Sequence, residues 1–271
     1  MELEQKLGRL RALVRGYSSA IVAFSGGVDS SLVLAIAKQE LPERVLAVTA
    51  HSPVYAQREL EAAQRFAEQL GVAHEIIFTR ELDDPRYVHN PPNRCFHCKQ
   101  ELFSKLINLA QARGFAHVLD GTNASDIDDF RPGMRALREY HIQSPLLEVG
   151  LTKPEIRELS RLLRLPTAEK PAMACLASRM PYGSAITLEK LRQVERAEEF
   201  LFGLGLTQVR VRHYDKLARI EVPSDEMTKV FEHREEIVAS LRELGFRYVT
   251  LDLMGYRSGS MNEALGRVRQ A

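Results

Sequence analysis

Residues 25–30 read Ser-Gly-Gly-Val-Asp-Ser, directly after the apolar run AIVAF at residues 20–24. A short apolar strand that breaks into two glycines and then opens a helix constrains the whole fold. The glycines allow the backbone positive dihedrals and close approach. Successive amides at a helix start, with hydroxyls at Ser25 and Ser30, can bind phosphate. A carboxylate at Asp29 would repel bare phosphate, so its role there is to orient Mg²⁺ or the loop. The plain alternative is a tight turn whose Ser or Asp caps the helix. The pattern is neither a GxGxxG dinucleotide loop nor a GxxxxGK[ST] loop.

The segments after the loop repeat its logic. A helix is expected from about Ser30 to Gln39, then an apolar run at Val45–Ala50. Ala56, Leu60, Ala63, Phe66 and Leu70 recur at helical spacing up to Gly71, with Ile76–Phe78 next as a strand. Leu102, Phe103, Leu106 and Leu109 mark a helix over Gln100–Ala112, and His117–Asp120 is the fourth strand-like segment. Thr152 and Glu155 form a capping box that opens a helix running to about Leu163. Apolar strands alternating with helices specify a mainly parallel sheet covered on both faces. Near residue 181 the pattern changes: a helix over Thr187–Phe202, strands at Thr207–Arg212 and Ala218–Val222 around HYDKL, a helix over Asp225–Leu244, and a strand at Tyr248–Leu253. This second part has no evident parallel crossover. The expected division is an N-terminal helix at 1–16 as an appendage, an α/β domain at 17–180, and a smaller α+β domain at 181–271.

The 37 Lys and Arg against 36 Asp and Glu leave a formal charge of +1, so no bulk basic surface announces a nucleic-acid partner. No run approaches 18 apolar residues, and the charged, leucine-bearing start is unlike a secretory signal, so a cytoplasmic protein without a membrane span is expected. Three cysteines make no disulfide framework. Cys95 and Cys98 form Cys-Phe-His-Cys just ahead of a helical segment, and Cys175 lies far away in MACLASRMPYG. Two thiolates separated by two residues can approach one metal, a redox role being the alternative. With a third from elsewhere they could hold a 4Fe–4S cluster that leaves one iron open for hydrosulfide.

Four other places carry candidate chemistry. Arg210 and Arg212 alternate in VRVR, so both can project from one strand face towards a phosphate; a solvated edge would show the same alternation. Asp126, Asp128 and Asp129 precede Arg131; the carboxylates could hold Mg²⁺ and Arg131 could meet the activated intermediate or pyrophosphate. Lys99, next to Cys98, could stabilise phosphate charge or simply face solvent. Glu198 and Glu221 could form part of a divalent-ion or substrate site, surface ion pairs being the alternative.

SGGVDS resembles the PP-loop of the ATP pyrophosphatase superfamily, which implies a Rossmann-like fold with ATP at the carboxyl ends of the strands and cleavage between the α and β phosphates. LDGTNASDIDDFRPG at 119–133, SRMPYG at 178–183, QVRVRHYDKLARIEVP at 208–223 and YVTLDLMGYRSGSMN at 248–262 resemble, in order, the LarE family of sulfur transferases. That resemblance implies ATP-dependent adenylation of the carboxylates of pyridinium-3,5-biscarboxylic acid mononucleotide, then replacement of oxygen by sulfur. It implies substrate-phosphate roles for Arg210 and Arg212. Ser178 and Arg179 would bind substrate phosphate or arrange the sulfur-transfer loop. It also implies a homo-oligomer. A family aspartate beyond Glu221 falls near Lys229 here. Some members consume the cysteine matching Cys175, leaving dehydroalanine, whereas members with two more cysteines resemble cluster-dependent enzymes. With Cys95 and Cys98 present, the expectation is a cluster held by Cys95, Cys98 and Cys175 and fed by sulfide or another donor. The expected set is therefore ATP, Mg²⁺ and a 4Fe–4S cluster. The competing accounts are a PP-loop enzyme that thiolates tRNA and a non-catalytic nucleotide- and metal-binding module.

Overall fold

Ala20, Ile21 and Val22 of the AIVAF run are fully buried, as a strand with neighbours on both edges and both faces requires. They belong to β1 (Ala20–Ala23) in a computed structural model that describes residues 2–127, 132–257 and 259–266. Two units are present: Met1–Glu81 with Asn93–Met173, and Leu82–Pro92 with Ala174–Ala271.

In the first unit β1 lies beside β2 (Val45–His51) and β4 (His117–Leu119), and β3 (Ala73–Phe78) pairs with β2. All pairs are parallel and the order is β3-β2-β1-β4. Alternate residues of β1 feed two cores. Ala20 and Val22 join Leu10 and Val14 of α1 (Leu3–Arg15), Leu32 and Ile36 of α2 (Val28–Glu40), and Phe66 of α3 (Gln57–Gln69). Ile21 joins Phe103, Leu106 and Ala110 of α4 (Arg94–Arg113). The chain steps from β1 outward to β3 and then returns to the opposite side of β1. This places a topological switch point between β1 and β4, where open α/β sheets bind ligands. The expected α/β architecture with a parallel sheet and a smaller second body is the one observed.

Three local expectations change. The first helix is no appendage: Leu10 and Val14 have zero exposure and pack in the same core as α2. α2 begins at Val28 rather than Ser30, so Asp29 and Ser30 sit in its first turn. α4 begins at Arg94, which puts Cys95 and Cys98 on the helix rather than ahead of it.

The capping box opens α5 (Lys153–Leu162): the Thr152 amide and hydroxyl donate to a Glu155 oxygen at 2.8 and 2.7 Å. Lys6 of α1 reaches the same carboxylate at 2.6 Å, tying the two helices. Burial opposes the Glu155 charge, but Lys6 and Thr152 outweigh it and hold the carboxyl down at about 2. A depressed carboxyl contributes stability above its ordinary range and loses it as pH falls through the folded value. The stability gap between wild type and Glu155→Gln should therefore be full above about pH 4.5 and shrink towards pH 2 in acid unfolding titrations. A gap that stays constant across that window would contradict the Lys6–Glu155 tie.

The second unit carries α6 (Leu188–Gly203) and a three-stranded sheet of β5 (Arg210–Tyr214), β6 (Leu217–Glu221) and β7 (Tyr248–Leu251) in that order. β5 and β6 form the expected hairpin, tightened to Asp215-Lys216 with Asp215 at φ 51°. The single helix expected over 225–244 is instead α7 (Met227–Glu232) and α8 (Arg234–Glu243), separated at His233, which has non-helical φ −96° and ψ 14°. This broken helix is a crossover, because β7 pairs parallel to β6, a connection absent from the sequence expectation. Leu201, Val209, Val211, Ile220, Leu241 and Phe246 form its core. Among the described residues no helix is long and apolar enough to cross a membrane.

Candidate functional site

The glycine loop leaves the carboxyl end of β1 at the switch point. Phe24, its last apolar residue, is held by a relay: Thr49 Oγ1 donates to the Phe24 carbonyl at 2.7 Å and accepts from His74 Nε2 at 2.8 Å. Burial lowers the His74 pKa and so favours the neutral ring; with the Thr49 hydroxyl proton committed to the Phe24 carbonyl, Nε2 is the donor of this pair. Gly26 has φ +68°, and a Cβ there would lie 3.2 Å from Ala63 Cβ of α3. Ser25 and Ser30 hydroxyls lie 3.1 Å apart, and Ser30 donates to the Gly27 carbonyl at 3.2 Å. Gly27 is the N-cap of α2, extended and without a side chain bonded across the helix start. The positive dipole end of this 13-residue, well-buried helix thus has no side-chain cap at Gly27, and Asp29 is the acidic residue of its first turn.

A second backbone segment, after β4, closes on that turn. A Cβ on Gly121 would sit 2.9 Å from the Ser30 amide nitrogen and 3.1 Å from Asp29 Cβ. Asp120 accepts from Thr122 Oγ1 and Ser144 Oγ at 2.6 Å each, and Lys99 approaches it at 3.4 Å. Asn123 donates to Asp29 at 3.3 Å. Asp126 is used locally, accepting from the Asn123 amide at 3.0 Å. Asp128, Asp129 and Arg131 lie outside the described residues.

Two lysines that motif reading passed over complete this site. Lys153 Nζ lies 2.5 Å from Asp29 Oδ2, and Lys170 Nζ donates to the Gly26 carbonyl at 3.0 Å while pairing with Glu59 at 2.7 Å. Neither carries a local signal, since each meets the loop from more than a hundred residues away in sequence.

The cluster expectation is corrected by the donor geometry. Among the described residues no group of three or more His, Cys, Asp or Glu side chains comes together that could hold a metal ion. Three convergent thiolates are the minimum for the 4Fe–4S site expected of Cys95, Cys98 and Cys175. Cys95 is exposed on the first turn of α4, and Cys98 bonds to Tyr55 Oη at 3.4 Å and Glu81 Oε1 at 3.6 Å. For the divalent ion expected at Glu198 and Glu221 no such donor group is present among the described residues either, and both carboxylates are paired with arginines.

Those arginines organise the second unit. Arg179 has no exposure; its Nε and Nη2 make a two-pronged pair with Glu198, both at 2.8 Å. Its Nη1 donates to the Ala174 carbonyl at 2.7 Å and to the Cys175 carbonyl and Ser178 Oγ at 3.0 Å. Burial opposes that charge, yet Glu198, with Cys175 and Tyr256 adding less, raises the Arg179 pKa. The same pairing holds the Glu198 carboxyl below its ordinary range against its own burial. Glu198 Oε1 also accepts the Val211 amide at 2.9 Å, joining α6 to β5.

Arg210 and Arg212 alternate on β5 opposite the core residue Val211, and both are buried. Arg212 donates to the Ser178 carbonyl at 3.1 Å, Glu221 at 2.7 Å and Ser260 at 2.9 Å. Its buried Nε has no hydrogen-bond partner among the described residues. Arg210 stacks over Tyr256 at 5.3 Å, and burial, then the charge of Arg179, lower its pKa to about 10 despite Glu198. Crowded guanidiniums in that state favour an incoming anion, and the planar donors suit a phosphate. Ser178 and Arg179 flank the same segment as Cys175, which is half-buried at the start of the turn Leu176–Arg179.

Comparison with known proteins extends this geometry. Residues 12–90 match the family model described as asparagine synthase. Across 97% of this chain and 99% of its own length, a protein of Synechocystis sp. described as uncharacterized is 46% identical. The pyridinium-3,5-bisthiocarboxylic acid mononucleotide synthase of Lactiplantibacillus plantarum is 37% identical, covering 99% of this chain and 98% of itself. A tRNA-specific 2-thiouridylase of Beijerinckia indica is 28% identical over 55% of this chain and 43% of its own.

Proposed function

This chain belongs to the LarE-like family of PP-loop sulfur transferases, and from that premise we propose that it adenylates a carboxylate of pyridinium-3,5-biscarboxylic acid mononucleotide and exchanges the carboxylate oxygen for sulfur. The observation that carries the reading is the uncapped start of α2 at the sheet's switch point, a phosphate cradle built from Ser25 to Ser30.

In this reading the amides of α2 and the hydroxyls of Ser25 and Ser30 hold the ATP phosphates. Mg²⁺ arriving with the nucleotide would be oriented by Asp29 and would supply charge neutralisation for the transfer of AMP. Lys99, poised on Asp120, stabilises charge on the phosphoryl group or the leaving pyrophosphate. Arg210 and Arg212 take the substrate's own phosphate. In the adenylation step a substrate carboxylate oxygen attacks the α-phosphorus and pyrophosphate leaves. Adenylation turns a poor leaving group into AMP.

Sulfur then reaches the carbonyl carbon through Cys175. Its thiolate attacks, the new C–S bond forms, and the C–O bond to AMP breaks. Loss of the Cys175 Cα proton to a base cleaves Cβ–Sγ, releasing the thiocarboxylate and leaving dehydroalanine. Arg179 is a positioning residue here, because its Nη1 holds the carbonyls on both sides of the Cys175 nitrogen and its other donors are taken by Glu198.

The test is a reaction of the full chain with ATP and the pyridinium mononucleotide, read by mass spectrometry of small molecules and intact protein. AMP and thiocarboxylate should appear together, with protein mass falling by one H₂S. Cys175→Ser should still form AMP and lose thiocarboxylate. Substrate-dependent AMP formation with tRNA instead of the mononucleotide would move the chain to the thiouridylase class, and thiocarboxylate from Cys175→Ser would remove Cys175 from the transfer.

A further inference from the structure

Asp29 is out of place by simple electrostatics. As the second residue of α2 it complements the helix dipole, but it also puts a carboxylate where polyphosphate must approach. Lys153 is out of place in the complementary sense. It is the first residue of α5, where the dipole disfavours a cation, and its amide is anchored by Ser125 Oγ at 3.0 Å. Each residue breaks a local rule, and the two meet with Nζ and Oδ2 2.5 Å apart. Such conflicts concentrate at functional sites.

We propose that Lys153 is a positioning residue of the nucleotide site, one that neutralises Asp29 so that the first turn of α2 presents a net positive surface to polyphosphate. The proposal rests on the reading of Ser25–Ser30 as an ATP loop. The arrangement around Asp29 supports it. Asn123 donates to the other carboxylate oxygen at 3.3 Å, so Asp29 keeps its place while Lys153 cancels its charge. Lys170 serves a different end, since it is already engaged by Glu59 and the Gly26 carbonyl. Glu155, two residues beyond Lys153, is claimed by Lys6 and Thr152 and does not compete for the Lys153 ammonium. The side chains of Lys153 and Asp29 are 32% and 24% exposed, partly shielded from water, which strengthens both the repulsion and its cancellation.

The experiment is equilibrium binding of ATP to the full chain in EDTA, so that no divalent ion bridges Asp29 to phosphate. Lys153→Met is expected to weaken binding by about tenfold to a hundredfold. Lys153→Arg should restore most of the loss. The double variant Asp29→Asn with Lys153→Met should bind within about threefold of wild type, because the repelling charge has gone with its counter-ion. A double variant as weak as Lys153→Met would show that the ammonium binds phosphate itself and overturn the proposal. So would a Lys153→Met protein that binds as wild type does. If the wild-type chain binds no adenine nucleotide while its circular dichroism shows a folded protein, the ATP-loop reading fails and this inference falls with it. Thermal melts of all three variants should match wild type closely, separating a binding defect from a folding defect.

Discussion

An Arg179→Met protein is expected to lose about 3–5 kcal/mol of stability in its second unit, the cost of breaking a buried ion pair from one side. Glu198, 3% exposed, would lose the two 2.8 Å bonds that offset its burial, leaving a buried carboxyl either charged and unpaired or forced to take up a proton. The Ala174 and Cys175 carbonyls would lose their shared donor as well. Amide exchange at Val211, whose N–H rests on Glu198, reports the loss directly and should accelerate by at least two orders of magnitude. Arg179→Lys should recover little, because a single ammonium cannot span two carboxylate oxygens and the loop carbonyls together. Replacing both partners, as Arg179→Met with Glu198→Leu, should recover part of the stability by removing the orphaned charge. An Arg179→Met protein with wild-type exchange at Val211 would mean that the pair does not hold this unit together.

Gly121→Val is expected to lower ATP affinity by about a hundredfold or more, with a far smaller effect on folding. The added Cβ would lie 2.9 Å from the Ser30 amide nitrogen, a backbone atom that cannot rotate away. Either the segment after β4 retreats or the first turn of α2 shifts, and in both cases the amides that the proposed function assigns to phosphate lose their geometry. Gly8→Ala is the control: it lies in α1, a Cβ there meets nothing within 4 Å, and alanine favours helix, so binding should be unchanged. ATP titration of both variants decides the matter. Wild-type affinity in Gly121→Val would mean that nucleotide does not depend on this close passage.

The two predictions differ in how visible their residues are in the sequence. Gly26 and Gly27 stand beside a strand and a helix, so their task is written in a six-residue window. Gly121 stands in LDGTN with no local hint of a clash, because the atom it avoids belongs to Ser30. Lys153 looks like an ordinary first-turn lysine until Asp29 is brought 2.5 Å away from 124 residues distant. The cysteines failed in the opposite direction. Cys-Phe-His-Cys spacing guarantees that two thiols are neighbours, but a cluster needs a third donor at the same point, and spacing carries no information about that. The parallel pairing of β7 was hidden for a similar reason: an unbroken helical pattern over residues 225–244 conceals the break at His233 that lets the chain cross over.

Local order was therefore the sequence's own work: the strand ending in a glycine loop, the Thr152–Glu155 cap, the alternating arginines of β5 and the parallel α/β core all arise from dihedral preference and hydrophobic period, which act over a few residues. Which charges meet was settled only in three dimensions. Lys153 on Asp29, Arg179 on Glu198 and the absence of three converging metal donors among the described residues depend on where distant segments are delivered by the packed sheet. Electrostatic attraction and desolvation act through space, and chain separation says nothing about either.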